Sequence, residues 1–193
     1  CPTRISGKVN AAYNFDKSQY MIIPNRINSA GSYGSLDFGV NDFSISIWAK
    51  SKGSPQSFIL DKSYSSSTGS GFDWYIKSSQ YNSTVFEIWS NAVSVAACGF
   101  SNSLWQDGNW HNFIVVVTRG ASGLGCYLDG QFKQGNTIPI ASFPPTLSLS
   151  SSNALVIGAE NENYNYANKF DGSLDELKIY GKALSLSEIQ QIY

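Results

Sequence analysis

Two short runs carry residue types suited to holding a polar molecule with flat faces. In FDWYIK (72–77) and VFEIW (85–89), apolar and polar residues alternate with the period of a strand. Trp74 and Ile76 share one face of the first run, leaving Asp73, Tyr75 and Lys77 on the other. Phe86 and Ile88 share a face of the second, leaving Glu87 and Trp89 opposite. Aromatic rings pack on the C–H faces of sugars, while carboxylates and amides bind hydroxyls. Asp73, Tyr75, Glu87 and Trp89 therefore form a candidate glycan-binding set. Trp105 joins it, as does the stretch GAENENYNYANK (158–169), a loop in which Asn161, Asn163, Tyr164 and Tyr166 interleave amides with phenols. The competing reading for each aromatic is a place in the core or at its edge.

Catalysis asks for more than these residues supply. Retaining glycoside hydrolysis needs two carboxyl groups about 5 Å apart. Glu87 has no acidic partner two residues on, and Asp175 and Glu176 are neighbours that splay to opposite faces of a strand. Glu160 and Glu162 alternate, but in an Asn-rich loop. A pair from separate strands, Asp73 with Glu87, is the arrangement left, with little to favour it. His111 is the only histidine, and no Gly-x-Ser-x-Gly elbow supplies a nucleophile for it. The sequence reads as non-enzymatic.

These residues need strands to position them, and the composition fits. The 193 residues suit one domain with a core that holds by itself. Only 14% of residues are charged and 14% are aromatic, the balance of a β-rich extracellular domain. A net charge of −1 offers no footprint for nucleic acid or anionic lipid, and no run of about 18 apolar residues spans a membrane. Cys1, Cys98 and Cys126 cannot all pair within the chain. The readings are free buried thiols, a Cys98–Cys126 disulfide, and an interchain or lipid-bearing role for Cys1.

Strands are expected at 7–15, 20–23, 43–50, 57–62, 72–77, 85–89, 93–98, 112–118, 125–128, 131–133 and 154–157. FSISIWAK (43–50) is the clearest, with Phe43, Ile45 and Ile47 on one face and Ser44, Ser46 and Trp48 on the other. Asp129-Gly130 marks a tight hairpin. The closing stretch FDGSLDELKIYGKALSLSEIQQIY (170–193) holds a strand and then a short helix. Ser185 and Glu188 have capping-box spacing, and Leu184 and Ile189 are placed to staple the helix start. Many short strands with one C-terminal helix predict an all-β, two-sheet antiparallel jelly-roll sandwich. Within the closing strand, Asp175 and Glu176 occupy positions where an apolar residue is usual, so at least one needs a partner.

FSISIWAK (43–50), DGNWHNFIVVV (107–117), CYLDGQ (126–131), ALVIGA (154–159) and the closing stretch, in that order, resemble the laminin-G-like, concanavalin A-like lectin/glucanase superfamily. GKVNAAYNFDKSQYMIIP (7–24) is similar to its opening strand pair. The resemblance implies one convex and one concave sheet, with ligands on the concave face or loop rim. It implies a structural role for His111, and the Glu-x-Asp-x-x-Glu strand of the superfamily's glucanases is missing here. It also implies a structural calcium between the first strands, the loop before FSISIW and the closing strand, at positions matching Asp16, Asn41 or Gly39, and Asp175. The functional expectation is a non-catalytic carbohydrate-binding module of a longer secreted or surface protein, its partner a glycan or glycoprotein. The alternative is a protein-binding adhesion module of the same fold.

Overall fold

The computed structural model describes residues 1–25, 36–51, 53, 56–63, 70–77, 80–120, 123–138, 142–162 and 165–193. They form a two-sheet antiparallel sandwich with one short C-terminal helix, as the strand pattern predicts. With strands numbered along the chain, one sheet has the spatial order β1 (Thr3–Ser6), β2 (Ala11–Asp16), β15 (Asp171–Tyr180), β4 (Phe43–Lys50), β9 (His111–Thr118), β10 (Gly123–Leu128), β11 (Gln131–Gly135). The other runs β3 (Met21–Ile23), β12 (Leu155–Ile157), β5 (Ser57–Asp61), β6 (Gly71–Ile76), β7 (Ser83–Ser90), β8 (Val93–Ser101). A small hairpin, β13 (Glu160–Glu162) with β14 (Asn165–Ala167), forms a separate two-stranded sheet.

The inward faces follow the alternation. Phe43, Ile45 and Ile47 of β4 meet Phe72, Trp74 and Ile76 of β6 and Phe86 and Ile88 of β7 in one core. The outer face of β4 is buried too, because helix α1 (Leu186–Ile192) lies across the seven-stranded sheet. Ser44 donates to the Lys182 carbonyl and accepts from the Leu184 amide, and Leu184 and Ile189 pack on Ile114 and Val116. The capping box forms, with Ser185 Oγ accepting from the Glu188 amide and Glu188 accepting from the Ser185 amide. The β10–β11 hairpin turns at Asp129 and Gly130, both at positive φ (53° and 69°), as a tight two-residue turn needs.

Two expectations are corrected. The strand predicted over 7–15 is shorter, β2 over Ala11–Asp16, because residues 7–10 turn back with Asn10 at φ 56° and join it to β1, a strand ahead of the predicted range. Residues 158–169 are not all loop, since β13 and β14 pair within them. The Cys98–Cys126 disulfide is present, joining β8 to β10 across the sandwich, and Cys1 is free and exposed.

Candidate functional site

The outer face of the six-stranded sheet is built from rows of cross-strand neighbours. Opposed residues in adjacent strands project to the same side and touch. One row reads Asp61, Asp73, Glu87, Ala97 across β5, β6, β7 and β8. The next reads Phe58, Tyr75, Val85, Gly99 across the same strands. One row is thus acidic and the other largely apolar, and both run out into a residue with almost no side chain.

Side chains between the rows lock the acids. Tyr75 stacks on Phe58 with ring centres 5.2 Å apart and donates its hydroxyl to Glu87 Oε2 at 3.0 Å. Trp89 donates its indole N–H to Asp73 Oδ2 at 2.8 Å. Asp61 accepts from the amide and hydroxyl of Ser63 and from the Asn161 amide of β13, which closes over it. Asp61, Asp73 and Glu87 are 0%, 4% and 9% exposed, and Asp73 Oδ1 has no hydrogen-bond partner among the described residues.

Beyond Glu87 the face opens into a groove of about 510 Å³. Glu87, Val85 and Lys77 line it together with Ala97, Gly99, Tyr81 and Gln134. Ala97 and Gly99 leave its floor bare. A β carbon on Gly99 would lie 2.4 Å from the Thr84 carbonyl oxygen, so close strand approach holds that position to glycine. The outer edge of β8 is sealed, with the Ala97 and Gly99 amides donating to the side-chain oxygens of Asn136 and Gln134. Lys77 lies over the rings of Tyr75 and Tyr81, and Tyr81 is 64% exposed. The chemistry on offer is a carboxylate with one oxygen engaged, an amine, an amide and the phenol face of Tyr81.

Of the residues predicted to bind, Asp73, Tyr75, Glu87 and Trp89 are brought together on this face. Only Glu87 among them lines the 510 Å³ groove, while Tyr75 faces an adjoining hollow with Gln56, Lys77 and Tyr81. Trp105 is a correction: it is wholly buried, edge-on to Phe113 at 4.9 Å, and its indole N–H donates to Thr84 Oγ1. Asn161 is buried where its amide meets Asp61, and Tyr166 stacks on Tyr20 at 4.2 Å; neither residue lines the groove. Asn163 and Tyr164 lie outside the described residues. Asp61, Tyr81, Ala97, Gly99 and Gln134 are additions that the sequence did not single out.

The residues proposed for calcium do not fit one cation site. Asp16 sits opposite Asp171, four residues along β15 from Asp175, about 13 Å at the rise of a strand. Asp16 accepts from Ser18 and Gln19. Asp175 spends one oxygen on the Val9 amide and the other on the Glu176 amide, which supplies the partner its position demands. Asn41 is exposed, seven residues before Trp48, the β4 residue opposite Asp175. Gly39, the alternative to Asn41, receives the Leu149 amide at its carbonyl, also ahead of β4. Among the described residues, no three His, Cys, Asp or Glu side chains are grouped to hold a metal ion. The Asp61–Asp73–Glu87 row is a line across three strands and does not close around a point.

His111 has the structural place its resemblance implies, its Nδ1 2.7 Å from Asp129 Oδ2 and its Nε2 3.1 Å from Asp107 Oδ1. Burial lowers the pKa of its imidazole, but the hydrogen bonds to Asp129 and Asp107 together raise it above the ordinary value. Burial also raises Asp61 to about 6, and burial and then the neighbouring acids raise Asp73 well above the carboxylate range. All three groups hold protons more tightly folded than unfolded, so stability falls as pH rises through their folded pKa values. For Asp61 this penalty develops between pH 3.8 and about 6 and is worth roughly 3 kcal/mol. The His111 contribution is lost above its ordinary 6.5. Asp107 and Glu188, both held down at about 2 by hydrogen bonds, withdraw their contributions only below about pH 4. The melting temperature is therefore expected to peak between about pH 4 and 5 and to decline toward pH 8. Asp73→Asn should flatten that decline; a melting temperature that climbs from pH 5 to 8 contradicts the assignment.

The chain belongs to the concanavalin A-like lectin/glucanases superfamily, whose laminin G family model matches residues 15–190. No curated protein sequence matches it. Among solved structures it is similar to the binding domain of Paraclostridial Mosquitocidal Protein 1, at TM-score 0.72 and 14% identity, covering 99% of this chain and 45% of that one. It is similar to domain 4 of AbnA, an extracellular arabinanase of Geobacillus stearothermophilus solved with arabinotriose (TM-score 0.61, 17% identity, 100% and 81% covered). It is also similar to the ligand-binding domain of botulinum neurotoxin serotype D solved with N-acetylneuraminic acid (TM-score 0.66, 17% identity, 99% and 44% covered). At these identities the shared property is the fold.

Proposed function

We propose that this chain is a non-catalytic carbohydrate-binding module that holds a glycan in the groove over β7 and β8. The observation that carries the reading is the bare floor at Ala97 and Gly99 beside a fixed carboxylate. Glu87 is anchored through one oxygen by Tyr75, leaving the other to accept from sugar hydroxyls. Lys77 and Gln134 supply donors, and Tyr81 supplies a ring face. About 510 Å³ is within the range of small-molecule sites. Two structurally similar domains were solved with sugars, which favours this use of the fold. The disulfide favours an oxidising, extracellular setting, and among the described residues no helix is long and apolar enough to cross a membrane.

Ala97→Phe tests the site, because it fills the floor and leaves every polar group in place. On an array of immobilised glycans the wild-type chain is expected to bind a defined subset, and Ala97→Phe to lose at least tenfold in affinity while melting within a few degrees of wild type. Unchanged binding by a folded Ala97→Phe variant places the glycan elsewhere.

A further inference from the structure

We infer that the groove takes neutral or amine-bearing sugars and rejects acidic ones, because its wall is the open end of a buried carboxylate row. The inference rests on the glycan reading and narrows it. Asp61, Asp73 and Glu87 face one another in register on strands about 4.8 Å apart. Glu160, bonded by Asn168, adds a fourth acid whose field reaches Asp61 and Asp73.

None of Asp61, Asp73 and Glu87 belongs to an ion pair among the described residues. Lys62, next to Asp61, gives its ammonium to the carbonyls of Ser151 and Asn153. Lys77 is the one cation among the groove's described lining residues, and it lies 5.7 and 5.8 Å from the ring centres of Tyr75 and Tyr81. Burial and then the charges of Asp61 and Glu87 raise the Asp73 pKa, so the acids of the row already oppose one another's ionisation. A sugar carboxylate set against Glu87 would add another negative charge where the effective dielectric is about 20, well below that of water. A hydroxyl or ammonium in the same place donates to the free Glu87 oxygen. Selection by repulsion of the wrong ligand is as effective as attraction of the right one.

The test is an array of neutral, amino and acidic glycans, read with matched pairs such as lactose and sialyllactose. Neutral or amino glycans are expected to bind at least tenfold more tightly than their acidic counterparts. The gap should narrow as salt rises, since screening weakens repulsion. It should narrow again in Glu87→Gln, which keeps an acceptor for Tyr75 and removes the charge. Acidic glycans binding as tightly as neutral ones, in a manner lost in Ala97→Phe, overturn the selectivity and leave the glycan reading standing. An array with no binding at any charge overturns both.

Discussion

Reducing the Cys98–Cys126 disulfide is expected to lower the free energy of unfolding by roughly 3–4 kcal/mol, the value for a closed loop of this length. The bond spans 28 residues and joins β8, an edge strand of one sheet, to β10 of the other. Both half-cystines are buried in the common core, so the link ties the sheets where β8 has no further strand to pair with. The side chains of Gln134 and Asn136 satisfy that edge only while β11 and the segment after it stay in place. Urea unfolding with and without reductant measures the difference. For a domain of this size the melting temperature should drop by roughly 10 °C. Coincident unfolding curves contradict the structural role. Because Ala97 and Gly99 flank Cys98 on β8, glycan affinity should also weaken in the reduced chain.

Trp105→Ala is expected to cost more, roughly 3–5 kcal/mol from the cavity it leaves. The indole is wholly buried, edge-on to Phe113, and its N–H donates to Thr84 Oγ1. Thr84 in turn donates to Asn102 Oδ1, in the 3₁₀ turn over Asn102–Leu104 that seats the tryptophan. Truncation removes the ring and breaks this buried chain at its first member. The variant separates the residue's two readings: a large fall in melting temperature with unaltered affinity, measured well below the transition, marks a core residue. Full stability with lost binding marks a ligand contact.

What the sequence made legible was local. FSISIWAK shows its alternation, the Ser185–Glu188 cap shows its spacing, and FDWYIK and VFEIW each show one apolar and one polar face. Because β6 and β7 are consecutive and antiparallel, their polar faces meet, so Asp73, Tyr75, Glu87 and Trp89 were found as a set. What stayed hidden depends on register between distant segments. SFILD reads as a core strand, and Asp61 joins the acid row only because β5 pairs with β6 at Asp73. The groove is defined by the missing side chains of Ala97 and Gly99, which no search for functional groups detects. Trp105 sits in a stretch without periodicity, so nothing in the sequence separated a core ring from a binding one. The calcium ligands came from a resemblance alone, and the Asp175 carboxylate is satisfied instead by backbone amides that no side-chain pattern announces.

Mapping a bound oligosaccharide by amide chemical shifts tests the central claim most directly. With a glycan chosen from the array, the largest changes are expected at Lys77, Tyr81, Glu87, Ala97, Gly99 and Gln134, on the outer face of the six-stranded sheet. Changes confined to the ends of β2 and β15 around Asp16 and Asp175, or to the helix-covered sheet, would contradict it.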